Sequence, residues 1–444
     1  MFRGQPLAVD SPSASIAAGI GMIHQHFMLV PTLTVVENIA LGLSTKRFSR
    51  LDLGPVRERV LELSSIYGLH VDPDAKIWQL AVGERQRVEI LKALYRDADL
   101  LVLDEPTAVL TPTEVDELFV TLRQMRDDGK ALIFISHKLH EVLALSDRIT
   151  VLRDGRISGT ADPTTATREH LAELMVGRAV KLAPEKPPVA LGDVRLELRG
   201  LTCQGDRGVE ALKQVDLSVR GGEILGIAGV SGNGQRELAE VVAGLRPATH
   251  GIVEIDNTPI NGKSPRQRRD VGLAYVPEER MRDGAIGSFS VAENLVLIDH
   301  DKAAFCDRGF LKLGAINSHA EQIVRDYAVK TPTITTSTKS LSGGNIQKII
   351  MGRELHGNPA VLIASQPTRG VDIGAAENIH ERLVAQRAAG TAIVVISEDL
   401  DEVIGLSDRV AVMLEGRIVG IVDAADATVE KLGLLMGGAE LSEA

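Results

Sequence analysis

Asp104 and Glu105 stand directly behind four aliphatic residues, Leu100-Leu101-Val102-Leu103, and directly before Pro106. Such a run reads as a strand buried on both faces, delivering its two acids to the carboxyl edge of a parallel sheet, where α/β proteins bind their ligands. There Asp104 is a hard oxygen ligand of the kind Mg²⁺ prefers, and Glu105 is placed to orient or deprotonate a water attacking a γ-phosphate. Pro106 stops the strand. A second candidate is rich in glycine. Gly229-Val230-Ser231-Gly232-Asn233-Gly234-Gln235-Arg236 follows an apolar strand, Ile224 to Ala228, and precedes a helix, which is the frame of a phosphate-binding loop.

Hydrophobic spacing gives the elements that must position these groups. Phe2 to Asp10 reads as strand and turn, leading through Ser11-Pro12 into a short helix that ends at Gly19. Gly21 to Phe27 is a strand running into a loop with Gln25, and Arg57 to Tyr67 is a helix with Val60, Leu61, Leu63 and Ile66 apolar. Leu80-Ala81-Val82-Gly83-Glu84-Arg85-Gln86 opens another helix, Thr113 to Arg126 forms an acidic one, and the strand Ala131 to Ile135 runs into Ser136-His137. Alternation on this scale describes a parallel sheet with crossover helices.

The second half repeats the first. Leu341-Ser342-Gly343-Gly344 answers Leu80-Ala81-Val82-Gly83, Leu406 to Arg409 answers Leu145 to Arg148, and Ala427-Thr428 answers Ala166-Thr167, each at 261 residues. Two copies of one α/β domain are expected, over 1–180 and 194–444. The stretch 181–193 joins them, and its Ala183-Pro184-Glu185-Lys186-Pro187-Pro188 reads as an extended, semi-rigid linker. The copies differ at their starts: Ser11-Pro12 answers Ser264-Pro265 at an offset of 253, so the counterpart of the loop at Gly229 would precede Met1. The chain is expected to begin inside its first domain.

With 444 residues the chain is too long for one core. Forty-nine basic against 60 acidic residues leave a net charge of −11, which argues against a nucleic-acid surface. The longest apolar runs are strand-sized, far below the roughly 20 residues that span a bilayer. Met1-Phe2-Arg3-Gly4 has no apolar run behind it, so no signal peptide is expected. Cys203 and Cys306 have no ligand-like spacing and read as ordinary reduced residues of a cytosolic protein.

With these residues assembled, the sequence resembles the ATP-binding cassette (ABC) subunits of the tandem type that drive sugar and nucleoside importers. The resemblance rests on an ordered set: Gln25 in a Q-loop, Leu80 to Gln86 as signature, Leu100 to Glu105 as Walker B strand and His137 as switch histidine, with the order repeated in the second half. It implies two P-loop NTPase-like nucleotide-binding domains in tandem, each with a helical subdomain, the first truncated at its amino end. ATP and Mg²⁺ are the implied cofactors. Glu105, His137 and Gln25 are the implied catalytic residues, with Asp104 and Gln25 at the metal. The cassettes of such proteins close head to tail, which implies that Ser342, Gly343, Gly344 and Asn345 meet the nucleotide of the first site, where N–H groups and the helix dipole favour negative charge. The implied partners are two transmembrane permease subunits and, indirectly, an extracytoplasmic substrate-binding protein. The implied place is the cytoplasmic face of the plasma membrane. Gly232-Asn233-Gly234-Gln235 and Ile363 to Gly370 are similar to the nucleoside branch.

The second copy keeps a nucleotide-binding loop in Gly229, Ser231, Gly232, Asn233, Gly234, Gln235 and Arg236, but its chemistry is altered. Gln235 stands where a lysine would reach the β- and γ-phosphates, and Arg236 where a hydroxyl would hold Mg²⁺. Ser365-Gln366 occupies the positions of Asp104-Glu105, and Glu398 that of His137. Binding without turnover is expected there, with Arg236 supplying some of the lost charge. Arg280, Arg282 and Asp283 read as a solvated insertion, and the Glu-Asn stretches Thr34 to Gly42 and Ser290 to Leu297 as the start of each helical subdomain. The 444 residues hold no phosphate-loop lysine, so a second reading stands beside the first: a non-hydrolysing nucleotide-binding or scaffold protein.

Overall fold

The computed structural model describes residues 2, 4, 11–24, 27–43, 52–107, 110, 112–153, 155–180, 184–206 and 208–438. Gln25, and most of the strand expected over Phe2 to Asp10, lie outside the described residues. The chain divides into two units, Met1–Met175 and Val176–Ala444, each with its own core.

In the first unit the order is α1 (Pro12–Ala17), β1 (Ile20–Ile23), α2 (Val35–Ala40), α3 (Gly54–Tyr67), α4 (Val82–Tyr95), β2 (Leu100–Asp104), α5 (Pro112–Asp127), β3 (Ala131–Ile135), α6 (Leu139–Leu145), β4 (Ile149–Arg153), β5 (Arg156–Ala161) and α7 (Arg168–Val176). β1, β2 and β3 form a parallel sheet with the acid-bearing strand in the middle, Ile20 opposite Leu100 and Asp104 opposite Ile135. Leu101 and Leu103 point into a core with Ile39, Val60, Leu91, Leu122 and Met125. Their neighbours Leu100 and Val102 are only partly covered, which corrects the expectation of a strand buried on both faces. β3 alternates the same way, leaving Ile133 49% and Ile135 46% exposed.

The second unit contains β6 (Val194–Gln204), β7 (Glu210–Arg220), β8 (Ile224–Ala228), α8 (Gln235–Ala243), β9 (His250–Ile255), β10 (Thr258–Pro259), α9 (Pro265–Asp270), β11 (Leu273–Val276), α10 (Val291–Val296), β12 (Cys306–Asp307), β13 (Phe310–Leu311), α11 (Leu313–Asp326), α12 (Gly343–Leu355), β14 (Val361–Ser365), α13 (Ile373–Ala388), β15 (Ala392–Ile396), α14 (Leu400–Leu406), β16 (Arg409–Leu414), β17 (Arg417–Asp423) and α15 (Val429–Met436). Its main sheet runs β11-β14-β15-β8-β16-β17. An antiparallel sheet, β10-β9-β6-β7, covers one face with α8, so Val361, Ile363, Val394 and Ile396 pack against Leu198, Val253 and Leu238. Leu362, Ala364, Ile393 and Val395 alternate to the other face, under α12 and α13. β14 and β15, the counterparts of β2 and β3, are therefore buried at every residue.

The proline-rich segment is fastened to the second unit by hydrogen bonds from residue 186 on. Arg387 donates to the Pro187 carbonyl at 2.8 Å while gripping both oxygens of Asp408, and Lys186 donates to the Ser407 carbonyl.

Candidate functional site

β2 ends in the first unit with Asp104 half-buried at its carboxyl edge, and the chain turns sharply at the next residue. Glu105 has φ 47°, a left-handed conformation that costs a non-glycine residue free energy, and its N–H donates to the Ile135 carbonyl at 2.9 Å. That bond ties the turn to the end of β3, so Glu105 meets the residue two positions beyond it: His137 Nδ1 lies 2.8 Å from Glu105 Oε1. The hydrogen bond to His137 holds the Glu105 carboxyl below the ordinary glutamate range, against the opposing effect of burial and with help from the charges of His137 and Lys138. Glu105 is thereby an ionised acceptor at neutral pH, oriented by an imidazole, at the edge where Asp104 offers a second carboxylate. The arrangement suits the orientation of a water beside a phosphate and a divalent cation.

Glu141, which sequence reasoning missed, braces the turns that carry this pair. Glu141, 1% exposed, accepts from Thr107 Oγ1 at 2.6 Å and from Ser136 Oγ at 3.1 Å, and pairs with Lys138 at 3.4 Å. Ser136 Oγ also accepts from the Lys138 N–H at 3.0 Å, which fixes the turn carrying His137. The 261-residue repeat held a signal, since Thr368 and Glu402 answer Thr107 and Glu141. In the second unit Thr368 Oγ1 donates to Glu402 at 2.6 Å, and His380 adds a contact at 2.8 Å.

The second unit keeps this frame and lacks the chemistry. Gln366 repeats the left-handed turn at φ 48°, with its N–H on the Ile396 carbonyl at 2.7 Å. Its amide oxygen accepts only a long 3.4 Å bond from the Glu398 N–H. Ser365, at the position of Asp104, is buried with its hydroxyl unpartnered and carries no charge for a metal. The glycine loop has its expected form: Gly232 and Gly234 take φ 90° and 106°, and a β carbon on Gly234 would stand 2.7 Å from the Ala211 carbonyl oxygen. Asn233 closes the loop onto the strand end, accepting from the Glu415 N–H at 2.7 Å. Gln235, however, folds back across the loop it ends. Only 8% exposed, it donates from Nε2 to the Val230 carbonyl at 3.1 Å and packs on Gly229. The cavity left among Gly229, Ser231, Gly232 and Gln366 is about 30 Å³, room for a single water. Arg236 is committed elsewhere, to Glu240 at 2.7 Å and Asp206 at 3.6 Å, so the expectation that it replaces the missing charge is corrected: two carboxylates already compensate it.

The signature turns also differ. Ser342 stands at the N-cap position of α12 without a side-chain bond to the helix N–H groups, Asn345 Nδ2 donates to Ser342 Oγ at 2.9 Å, and Gly344 lies against Ala375. At the start of α4 the Ala81 N–H donates to Glu84 at 2.8 Å, and the Glu114 carboxylate lies over Gly83. Arg280 is not solvated as expected: its guanidinium is partly buried over Gly343, whereas Arg282 is exposed and paired with Asp283 at 2.7 Å.

β8 lies between β15 and β16 in the second unit. In the first, β3 and β4 do not pair among the described residues, and a cavity of about 920 Å³ lined by Ile133, Ile135, His137, Ile149 and Val151 separates them.

An α/β unit with an acid pair at a strand end, followed by a second α/β unit that keeps the frame and carries a glycine-rich phosphate loop, defines a tandem nucleotide-binding protein. The family model described as "ABC transporter" matches residues 2–108 and 212–369, and the chain belongs to that family of ATP-binding proteins. It is 47% identical to a glucose import ATP-binding protein of Haloferax volcanii, over 98% of this chain and 85% of the relative. It is 46% identical to a nucleoside import ATP-binding protein of Lactococcus lactis, over 99% and 87%. A guanosine import ATP-binding protein of Bacillus subtilis is 44% identical, over 100% and 87%. Among the described residues no helix is long and apolar enough to cross a membrane.

Proposed function

We propose that this chain is the ATP-binding, ATP-hydrolysing subunit of an ABC importer for nucleosides or simple sugars, with hydrolysis confined to the nucleotide served by Glu105. It docks at the cytoplasmic face of the membrane on two permease subunits that receive their cargo from an extracytoplasmic binding protein. The observation that carries the reading is the Glu105–His137 pair at the end of β2, 2.8 Å apart, at positions that the second unit fills with Gln366 and Glu398. Glu105 accepts the proton of the attacking water or orients it, and His137 fixes the carboxylate that does so. Asp104 fits Mg²⁺ as the single carboxylate this ion asks of a protein when phosphates and waters supply its other ligands. Bound there, Mg²⁺ would neutralise phosphate charge. Ser342, Gly343, Gly344 and Asn345 form the amino end of α12, whose backbone N–H groups suit a phosphate.

A second reading, a nucleotide-binding subunit without turnover, is favoured by one observation: Gln235 closes the only glycine-rich phosphate loop among the described residues. Steady-state ATPase assays and ATP calorimetry on the chain assembled with its permeases separate the two. The first reading expects turnover that falls about 100-fold or more in Glu105→Gln while ATP still binds, because an amide fills the space without accepting a proton. Equal turnover in parent and variant would remove Glu105 from the chemistry, and binding without turnover in the parent would favour the second reading.

A further inference from the structure

The two units satisfy one buried acid from different sides. Glu141 is 1% exposed, and a carboxylate taken out of water needs a countercharge as well as hydrogen bonds. In the first unit Lys138 supplies it, 3.4 Å away. The repeat puts Asp399 at that position in the second unit, where its carboxylate accepts the Asp401 and Glu402 N–H groups at the start of α14. Glu402 meets His380 of α13 instead, at 2.8 Å. Phe119 holds the place of His380 in the first unit and packs edge-on to Phe134, 6.0 Å between ring centres. The cation over Glu141 therefore comes from the residue that follows His137, and the partner of Glu402 comes from a separate helix.

Lys138 also has a second contact. Its Nζ donates to the Thr107 carbonyl at 3.4 Å, two residues beyond Glu105. Thr107 Oγ1 and Ser136 Oγ both donate to Glu141, so the turn after β2 and the turn after β3 meet over a single carboxylate. One ammonium touches that carboxylate and the backbone of the Glu105 turn at once. An aspartate at 399 only accepts hydrogen bonds when ionised and can make neither contact. The bond between His137 and Glu105 spans the same two turns, so its 2.8 Å length depends on what fixes one turn against the other. The Glu105 N–H on the Ile135 carbonyl fixes the near end, and Lys138 stands at the far one.

We propose that Lys138 is a positioning residue of the hydrolytic pair: its ammonium, shared between Glu141 and the Thr107 carbonyl, holds the turn that carries His137 against the turn that carries Glu105. The proposal rests on the reading of Glu105 and His137 as the groups that serve ATP hydrolysis. It separates a brace common to both units, threonine on glutamate, from a tie that only the first unit possesses.

Steady-state ATPase assays on the full chain assembled with its permeases, with kcat expressed per ATP bound, test it in parent, Lys138→Met, Lys138→Arg, Glu141→Gln and Lys138→Met/Glu141→Gln forms. Lys138→Met should lower kcat about tenfold and leave KM for ATP unchanged, because a small displacement of a catalytic pair slows the chemical step rather than binding. Arginine, whose fork can reach both oxygens, should recover most of the rate. The double variant should be little slower than the slower single variant, since both changes remove one tie. If the methionine variant fails to fold, Lys138→Gln keeps a donor, gives up the charge and carries the same expectation. An unchanged kcat in Lys138→Met, a loss that arginine does not relieve, or losses that add in the double variant would overturn the role of Lys138 and leave the reading of Glu105 standing. A parent assembly that binds ATP without turnover would overturn both.

Discussion

At the scale of residues, the pair Glu105 and His137 depends on a backbone detail that side-chain chemistry alone does not reveal. The left-handed turn at residue 105 survives at residue 366 although the side chain has changed, so the turn belongs to the frame and the chemistry to the residue placed on it. His137→Ala tests how much of the Glu105 environment is the imidazole's doing. A carboxyl carbon NMR titration should show the Glu105 midpoint moving upward, because the largest influence holding it down is the His137 hydrogen bond. A carboxyl lowered in the folded state contributes stability above its unfolded pKa and loses it as pH falls through the lower folded value, so the contribution is intact at neutral pH and disappears only below the ordinary glutamate range. An unmoved midpoint would mean that His137 is merely adjacent.

At the scale of elements, β14 and its turn carry the same buried brace as β2: Thr368 and Glu402 against Thr107 and Glu141, both donor–acceptor distances 2.6 Å. The brace keeps a strand end in shape whether or not catalysis happens there. Restoring only the acids, Ser365→Asp with Gln366→Glu, should therefore leave the second unit without new turnover in a steady-state assay. Gln235 would still close the loop, and no histidine would face the new glutamate, since Glu398 stands at that position. Groups that act as a unit are not revived singly. Measurable added turnover would mean that the closed loop opens readily enough to admit a triphosphate.

At the scale of the whole molecule, the two units differ in how completely they cover equivalent strands. β15 is buried at all five residues, whereas β3 leaves alternate residues open to solvent. Strands with one uncovered face have fewer apolar contacts to lose on local opening, and opening of that kind is what a protease samples. Limited proteolysis followed by mass spectrometry should cut within 1–175 at protease levels that leave 194–438 intact. Equal resistance of the two units would mean that the open faces of β2 and β3 are covered in solution.

Legible from the residues were the main alternation of strands and helices in the first half, the repeat at 261 residues, the strand that ends at Asp104 and Glu105, and through that repeat the replacements at Ser365, Gln366 and Glu398, whereas Gln235 is read as a replacement only through the family resemblance. These are legible because apolar periodicity and turn residues act over a few neighbours, and a repeat compares a chain with itself. Tertiary structure alone decided that Gln235 folds over its own loop, that Arg236 is held by Glu240 and Asp206, that Glu141 braces Ser136, and that Arg280 covers Gly343 while Arg282 faces solvent. Each of these depends on side-chain direction and on partners brought close by folding. A long polar or charged side chain can reach several neighbours, and which one it meets is fixed by the packing of elements distant in the chain rather than by the residues beside it.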